Sequence, residues 1–187
     1  MLTQVLLSTE VHMLCSAYAL CTETEEVALL LLGDFEETLS SPAAAATSPV
    51  GAGGSASSAS MPGSSVTTRA ASPTPAGVRA VVRTCFFVVR KDRRRDRVEI
   101  SSEELSRALS EADSLGLKVV GWCHSHPKIT IHPSHVDLGT QLTLQSLDKH
   151  FFGIIYSCFH ENQNKSMRMQ VTAFQSRRAP EANQAIQ

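Results

Sequence analysis

At 187 residues with a formal net charge of -1, the chain is long enough for one domain with a real core. It carries no bulk charge that would draw it to nucleic acid or to an anionic membrane surface. Its five cysteines are odd in number, widely spaced and free of any CxxC pair, which excludes a disulfide framework and a cysteine zinc knuckle and points to a reducing compartment, cytosol or nucleus.

In LLSTEVHMLCSAYAL (6–20), apolar Val11, Leu14, Cys15 and Tyr18 recur at helical spacing and predict an amphipathic helix. The run VALLLLG (27–33) is continuous rather than alternating, which suits a strand buried on both faces and closed by Gly33. It is too short to cross a bilayer, and the N-terminus lacks the basic start of a signal peptide, so the sequon at Asn164 is expected to stay unmodified.

Residues 41–78 are almost entirely Ala, Ser, Gly, Pro and Thr, with Arg69 as the one charge. Such a tract buries too little apolar surface to offset its ordering entropy. It is expected to be a disordered insertion within a single domain spanning 1–177, followed by a flexible tail at 178–187. The first forty residues, with one predicted helix and one strand, cannot stand alone.

Beyond the tract, VRAVVRTCFFVVR (78–90) reads as a β-branched and aromatic strand, and KDRRRDR (91–97) as a solvated turn leading into VEI. SSEELSRALSEADSLG (101–116) has the signature of a capped helix, with Ser101 or Ser102 ahead of Glu104 and Gly116 at its end. A strand LKVVGWCHSH, a helix after Pro133, and strands FFGIIYSCF and MRMQVTAFQ complete the chain. Strands and helices mixed in this order make an α/β or α+β domain built around one sheet.

The chemistry concentrates in GWCHSHPKITIHPSHVDLGTQ (121–141), where four histidines fall within twelve positions and Asp137 follows. On a strand, alternate side chains share a face, so His124 and His126 project together and could share one metal ion. Ser134 stands at a helix N-cap, which puts Asp137 in the first helical turn. A loop folding back there could present its carboxylate to the same ion. Two nitrogens and one oxygen with a fourth position open is the ligand count of a catalytic zinc site. SxxD ahead of an apolar helix is equally a capping arrangement, and both readings stand at this point. Two other zinc patterns fail: HxHxDH would need an aspartate where Lys128 stands, and a nucleobase deaminase would need a PCxxC that is absent.

HSHP followed by SHVD, with GW before and L-x-TQ after, resembles the motif of the JAMM (MPN-plus) zinc metalloproteases. EEV (25–27), DRVEIS (96–101), PSHVDLGTQ (133–141) and FFGIIYSCF (151–159) are similar to one branch, the lysine-63-specific deubiquitinating subunits of the BRISC and BRCC complexes. The resemblance covers most of the chain outside 41–78. It implies an MPN fold, a mixed central sheet flanked by helices, and one zinc ion held by His124, His126 and Asp137. His132 and His135 are left outside. It also implies Glu26 as the catalytic base, Ser134 as the oxyanion donor, polyubiquitin as substrate and an inactive MPN-type protein as partner. Leu29 stands where this family usually has glycine, which bears on the position of Glu26. A zinc-binding scaffold without catalysis is the alternative reading.

Overall fold

A computed structural model describes residues 1–38, 77–89, 100–161 and 167–177. Nine elements follow in chain order: β1 (Leu2–Leu7), α1 (Thr9–Ala19), β2 (Ala28–Glu37), β3 (Val78–Phe87), α2 (Ser102–Ser114), β4 (Lys118–Pro127), α3 (His135–Leu144), β5 (Phe152–Glu161) and β6 (Met167–Phe174). The strands form one six-stranded sheet in the order β1-β3-β2-β4-β5-β6. The β1–β3 and β4–β5 pairs are parallel and the others antiparallel, so the sheet is mixed, as expected.

The leucine run of β2 is central in the sheet and buried on both faces. Leu29 and Leu31 pack under α1 with Val11, Cys15 and Ala19, while Leu30 and Leu32 pack against Ala108 and Ala112 of α2. Two apolar layers therefore sandwich the strand, which explains why its sequence does not alternate. Among the described residues, no helix is long and apolar enough to cross a membrane.

Three expectations need correction. The first helix does not begin at residue 6: Leu2–Leu7 is a strand beside β3, and the helix starts after Ser8, whose side chain accepts from the Val11 N–H at 3.2 Å. The partner of β1 lies some seventy residues away, so no local pattern announces it. Gly33 does not close β2, which runs on to Glu37 through an irregularity in its register with β3. There glycine is required by close approach, because a Cβ would lie 2.0 Å from the Val81 carbonyl oxygen. The low-complexity tract was expected to end at residue 78, yet Gly77 is clasped by Thr38, whose N–H and hydroxyl both donate to its carbonyl, and Val78 opens β3 opposite Glu37. Residues 41–76, the turn 91–97 and the tail 178–187 lie outside the described residues.

Helix α2 shows how literally its caps are written. Ser101 Oγ accepts from the Glu104 N–H, and the far end closes with Leu117 N–H on Ala112 O at 2.8 Å and Gly116 N–H on Asp113 O at 3.0 Å. Gly116, at φ +66°, supplies the left-handed residue this ending needs. The Glu104 carboxylate accepts from the Val89 N–H at 2.8 Å and so ties the helix to the end of β3.

Candidate metal centre

His124 and His126 lie two residues apart on β4 and face the same side as Trp122, whose indole stacks on the His124 ring at 4.3 Å. Their Nε2 atoms converge to 3.0 Å. Asp137 arrives from the first turn of α3, with Oδ1 3.3 Å from His124 Nε2 and Oδ2 3.3 Å from His126 Nε2. Donors bound at 2.0–2.1 Å around one tetrahedral ion stand about 3.3 Å from each other, and each imidazole nitrogen lies at that distance from one oxygen of the carboxylate.

The fourth member comes from the chain entering β2. Antiparallel pairing sets Ala28 opposite His124, and the adjoining segment is held by Ser125, whose N–H donates to Val27 O and whose Oγ accepts from Val27 N–H. In that register Glu26 falls beside His126 on the same face, with Oε1 4.0 Å from its Nε2. Ligand atoms of Glu26, His124, His126 and Asp137 all lie within 4.8 Å of one another, and all four residues are buried. Glu25 is half-buried and is not part of the cluster. Glu23 lies on the surface in an ion pair with Lys128.

Protonation chemistry shows what kind of ion the cluster fits. His126 Nδ1 sits 2.6 Å from the Thr130 carbonyl, which can only accept, so the ring proton is on Nδ1 and a lone pair on Nε2 faces the site. In neutral His126 that lone pair meets the Asp137 carboxylate at 3.3 Å, acceptor against acceptor, and a cation between them removes the conflict. Burial opposes charge on His126, yet its bonds to Asp137 and Thr130 and the charge of Glu26 raise its pKa. Burial dominates at His124 and lowers its pKa, which favours the neutral, ligating form. Burial alone would raise Asp137, but the two histidines hold it well below the ordinary carboxylate range. His124 Nδ1 is buried without a hydrogen-bond partner, so the ring is held by stacking on Trp122 rather than by its outer nitrogen. The donor set suits a divalent metal ion.

Asp137 is also the third residue of α3 and closes a capping box with Ser134. Its Oδ2 accepts from the Ser134 N–H at 2.6 Å, and Ser134 Oγ accepts from the Asp137 N–H at 3.2 Å. Both readings of SxxD therefore hold at once, since the cap orients the carboxylate that faces the histidines. Ser134 is exposed, and its side chain also hydrogen-bonds to the Asp137 carboxylate, a smaller contribution than the histidines to holding that carboxyl ionised. His132 and His135 are exposed and outside the cluster. Leu29 pairs with Cys123 and packs under α1, on the face opposite Glu26, so it does not crowd the carboxylate.

The sequence did not single out Gln141. This buried amide accepts from Trp122 Nε1 at 2.8 Å and donates to Phe151 O at 2.9 Å, locking α3 to β4 behind His124. The one available signal was a polar residue on the inward side of an apolar helix, four positions after Asp137.

A family model described as JAB1/Mov34/MPN/PAD-1 ubiquitin protease matches residues 64–150. Lys-63-specific deubiquitinase BRCC36 of Homo sapiens is 37% identical over 188 residues, covering 96% of this chain and 54% of that protein. The protein of the same name from Pongo abelii is 37% identical over 185 residues, covering 95% of this chain and 68% of its own length. That of Xenopus tropicalis reaches 46% over 110 residues, 55% of this chain and 42% of its own. The chain thus spans about half the length of the human relative. Similarity of this extent means that the chain belongs to the JAB1/Mov34/MPN/PAD-1 ubiquitin protease family.

Proposed function

We propose that the chain is the catalytic portion of a zinc-dependent deubiquitinase that hydrolyses isopeptide bonds in polyubiquitin, with lysine-63-linked chains as the expected substrate. The observation that carries this reading is the convergence of two imidazole nitrogens 3.0 Å apart with a carboxylate 3.3 Å from each and a second carboxylate 4.0 Å away. His124, His126 and Asp137 would hold one zinc ion. Zinc, when bound, supplies a water of lowered pKa and a Lewis acid for the carbonyl. Glu26 lies beyond ligand spacing from His126 and is the base: it takes the proton of the attacking water and hands it to the departing lysine amine. The new bond joins water oxygen to the isopeptide carbon as the C–N bond breaks. The Ser134 hydroxyl donates to the carbonyl oxygen as it gains charge, an interaction strongest in the transition state.

The names of the relatives support ubiquitin as substrate and the lysine-63 linkage. An inactive MPN-type protein is the expected partner, and cytosol or nucleus the expected location, in keeping with five free cysteines. The test is incubation with a panel of di-ubiquitin linkages, alone and with an MPN-type partner, before and after chelation, with zinc counted by elemental analysis. Cleavage lost with the metal and restored by zinc supports the proposal. Cleavage that persists in demonstrably metal-free protein refutes it. Full zinc content without cleavage, with or without partner, indicates the silent scaffold instead.

A further inference from the structure

The outer nitrogen of His126 makes one bond, from Nδ1 to the Thr130 carbonyl, and Thr130 belongs to an irregular turn. Something must hold that turn. The preceding residue, Ile129, has its carbonyl gripped from β5: Ser157 Oγ donates to it at 2.7 Å, and His160 Nε2 lies 2.8 Å from it and 2.7 Å from Ser157 Oγ. A carbonyl accepts only, and the serine proton is committed to it, so the His160 Nε2–H is shared between that carbonyl and the serine oxygen. The Lys128 N–H completes the grip by donating to Cys158 O at 2.9 Å.

The backbone is specialised on both sides of the contact. Lys128 and Phe159 both adopt φ of +62°, the only non-glycine residues with positive φ among those described. Left-handed backbone at such residues persists only where its surroundings over-determine it. Phe159 sits in the register irregularity between Ser157 and His160, and without that bulge the two side chains would not meet on one carbonyl. Ser157 is fully buried and pairs directly with His126 in the parallel register of β4 and β5.

We infer that the Ser157–His160 pair is a positioning device for the metal centre: it fixes the turn at Ile129 so that the Thr130 carbonyl keeps His126 Nε2 aimed at the site. Neither side chain is bonded to a side chain of the cluster; they act through the turn. The inference rests on His126 being a metal ligand.

The test uses the whole chain and the variants His160→Leu, His160→Gln and Ser157→Ala, each checked for folding by circular dichroism and thermal melting. Zinc affinity is measured by competition with a chromogenic chelator, and the His126 tautomer by imidazole ¹⁵N shifts in the metal-free protein. His160→Leu and Ser157→Ala are expected to weaken zinc binding about tenfold or more and to mix the His126 tautomers. His160→Gln, whose amide can donate from a similar position, is expected to restore both. Parent-like affinity together with an unmixed Nδ1–H signature in both loss variants overturns the inference while leaving the metal centre standing. A parent chain that takes up no zinc overturns both. Should His160→Leu fail to fold, the comparison of Ser157→Ala with parent decides.

Discussion

Ser134→Ala deletes a hydroxyl with two separable jobs. As N-cap of α3 it accepts the Asp137 N–H at 3.2 Å, and losing such an acceptor costs about 1 kcal/mol. The reciprocal bond, Ser134 N–H to Asp137 Oδ2 at 2.6 Å, uses backbone and survives, so the carboxylate stays near the histidines and zinc content should be unchanged. For a chain of this length the stability loss corresponds to about 3 °C in melting temperature. As oxyanion donor the same hydroxyl would be worth about 10²- to 10³-fold in turnover, or roughly 3–4 kcal/mol. The second effect is about three times the first in free energy, so the jobs can be told apart. The assay is di-ubiquitin cleavage at saturating zinc under conditions where the parent cleaves, beside a thermal melt. Ser134→Asn, which also caps well, should recover the melting temperature and not the full turnover. Turnover of Ser134→Ala within about threefold of the parent would refute the oxyanion role, whatever the melt shows.

Glu26→Gln is expected to keep its zinc, by elemental analysis, and to lose about 10²- to 10⁴-fold in turnover, the range for a missing general base; parent-like turnover would remove that assignment. Gln141→Ala strands the buried Trp122 Nε1–H, while the Phe151 carbonyl keeps its bond from Gln175, and should cost about 2 kcal/mol in chemical denaturation, a loss too large for a surface site. Zinc bound at a thousandfold its dissociation constant should add about 4 kcal/mol of stability, so chelation should lower the melting temperature and excess zinc restore it. A maleimide at mildly alkaline pH should label the exposed Cys21 first, at about one equivalent. Burial pushes the Cys158 thiol up to about 11, and in Cys85 the hydrogen bond from Cys15, followed by burial, pushes the thiol higher still, so rapid uptake of several equivalents would contradict the packing.

Much of this protein was legible locally. Caps at Ser101, Ser134 and Gly116, the two-sided burial of the leucine run and the shared face of His124 and His126 are all set by residues a few positions apart, where rotamer, φ and periodicity preferences act. The cap at Ser134 could be read in SxxD, whereas the facing of the Asp137 carboxylate to the histidines came only with the structure. What stayed hidden was long-range. Strand β1 has its partner across the low-complexity tract, and Gly33 is needed only because the Val81 carbonyl comes against it. Glu26 is distinguished from Glu23 and Glu25 solely by the register that sets Ala28 against His124.

The sequence by itself determined that the two imidazoles share a face and that Asp137 stands in a capped first turn, since each is placed by a period or a cap closed within four residues. Only the tertiary structure decided that the carboxylate of Glu26 meets them, that Leu29 turns away from it, and that Ser157 and His160 reach the turn beside His126. Those contacts join positions about thirty to a hundred residues apart, and pairing register is a property of two strands, which neither carries alone.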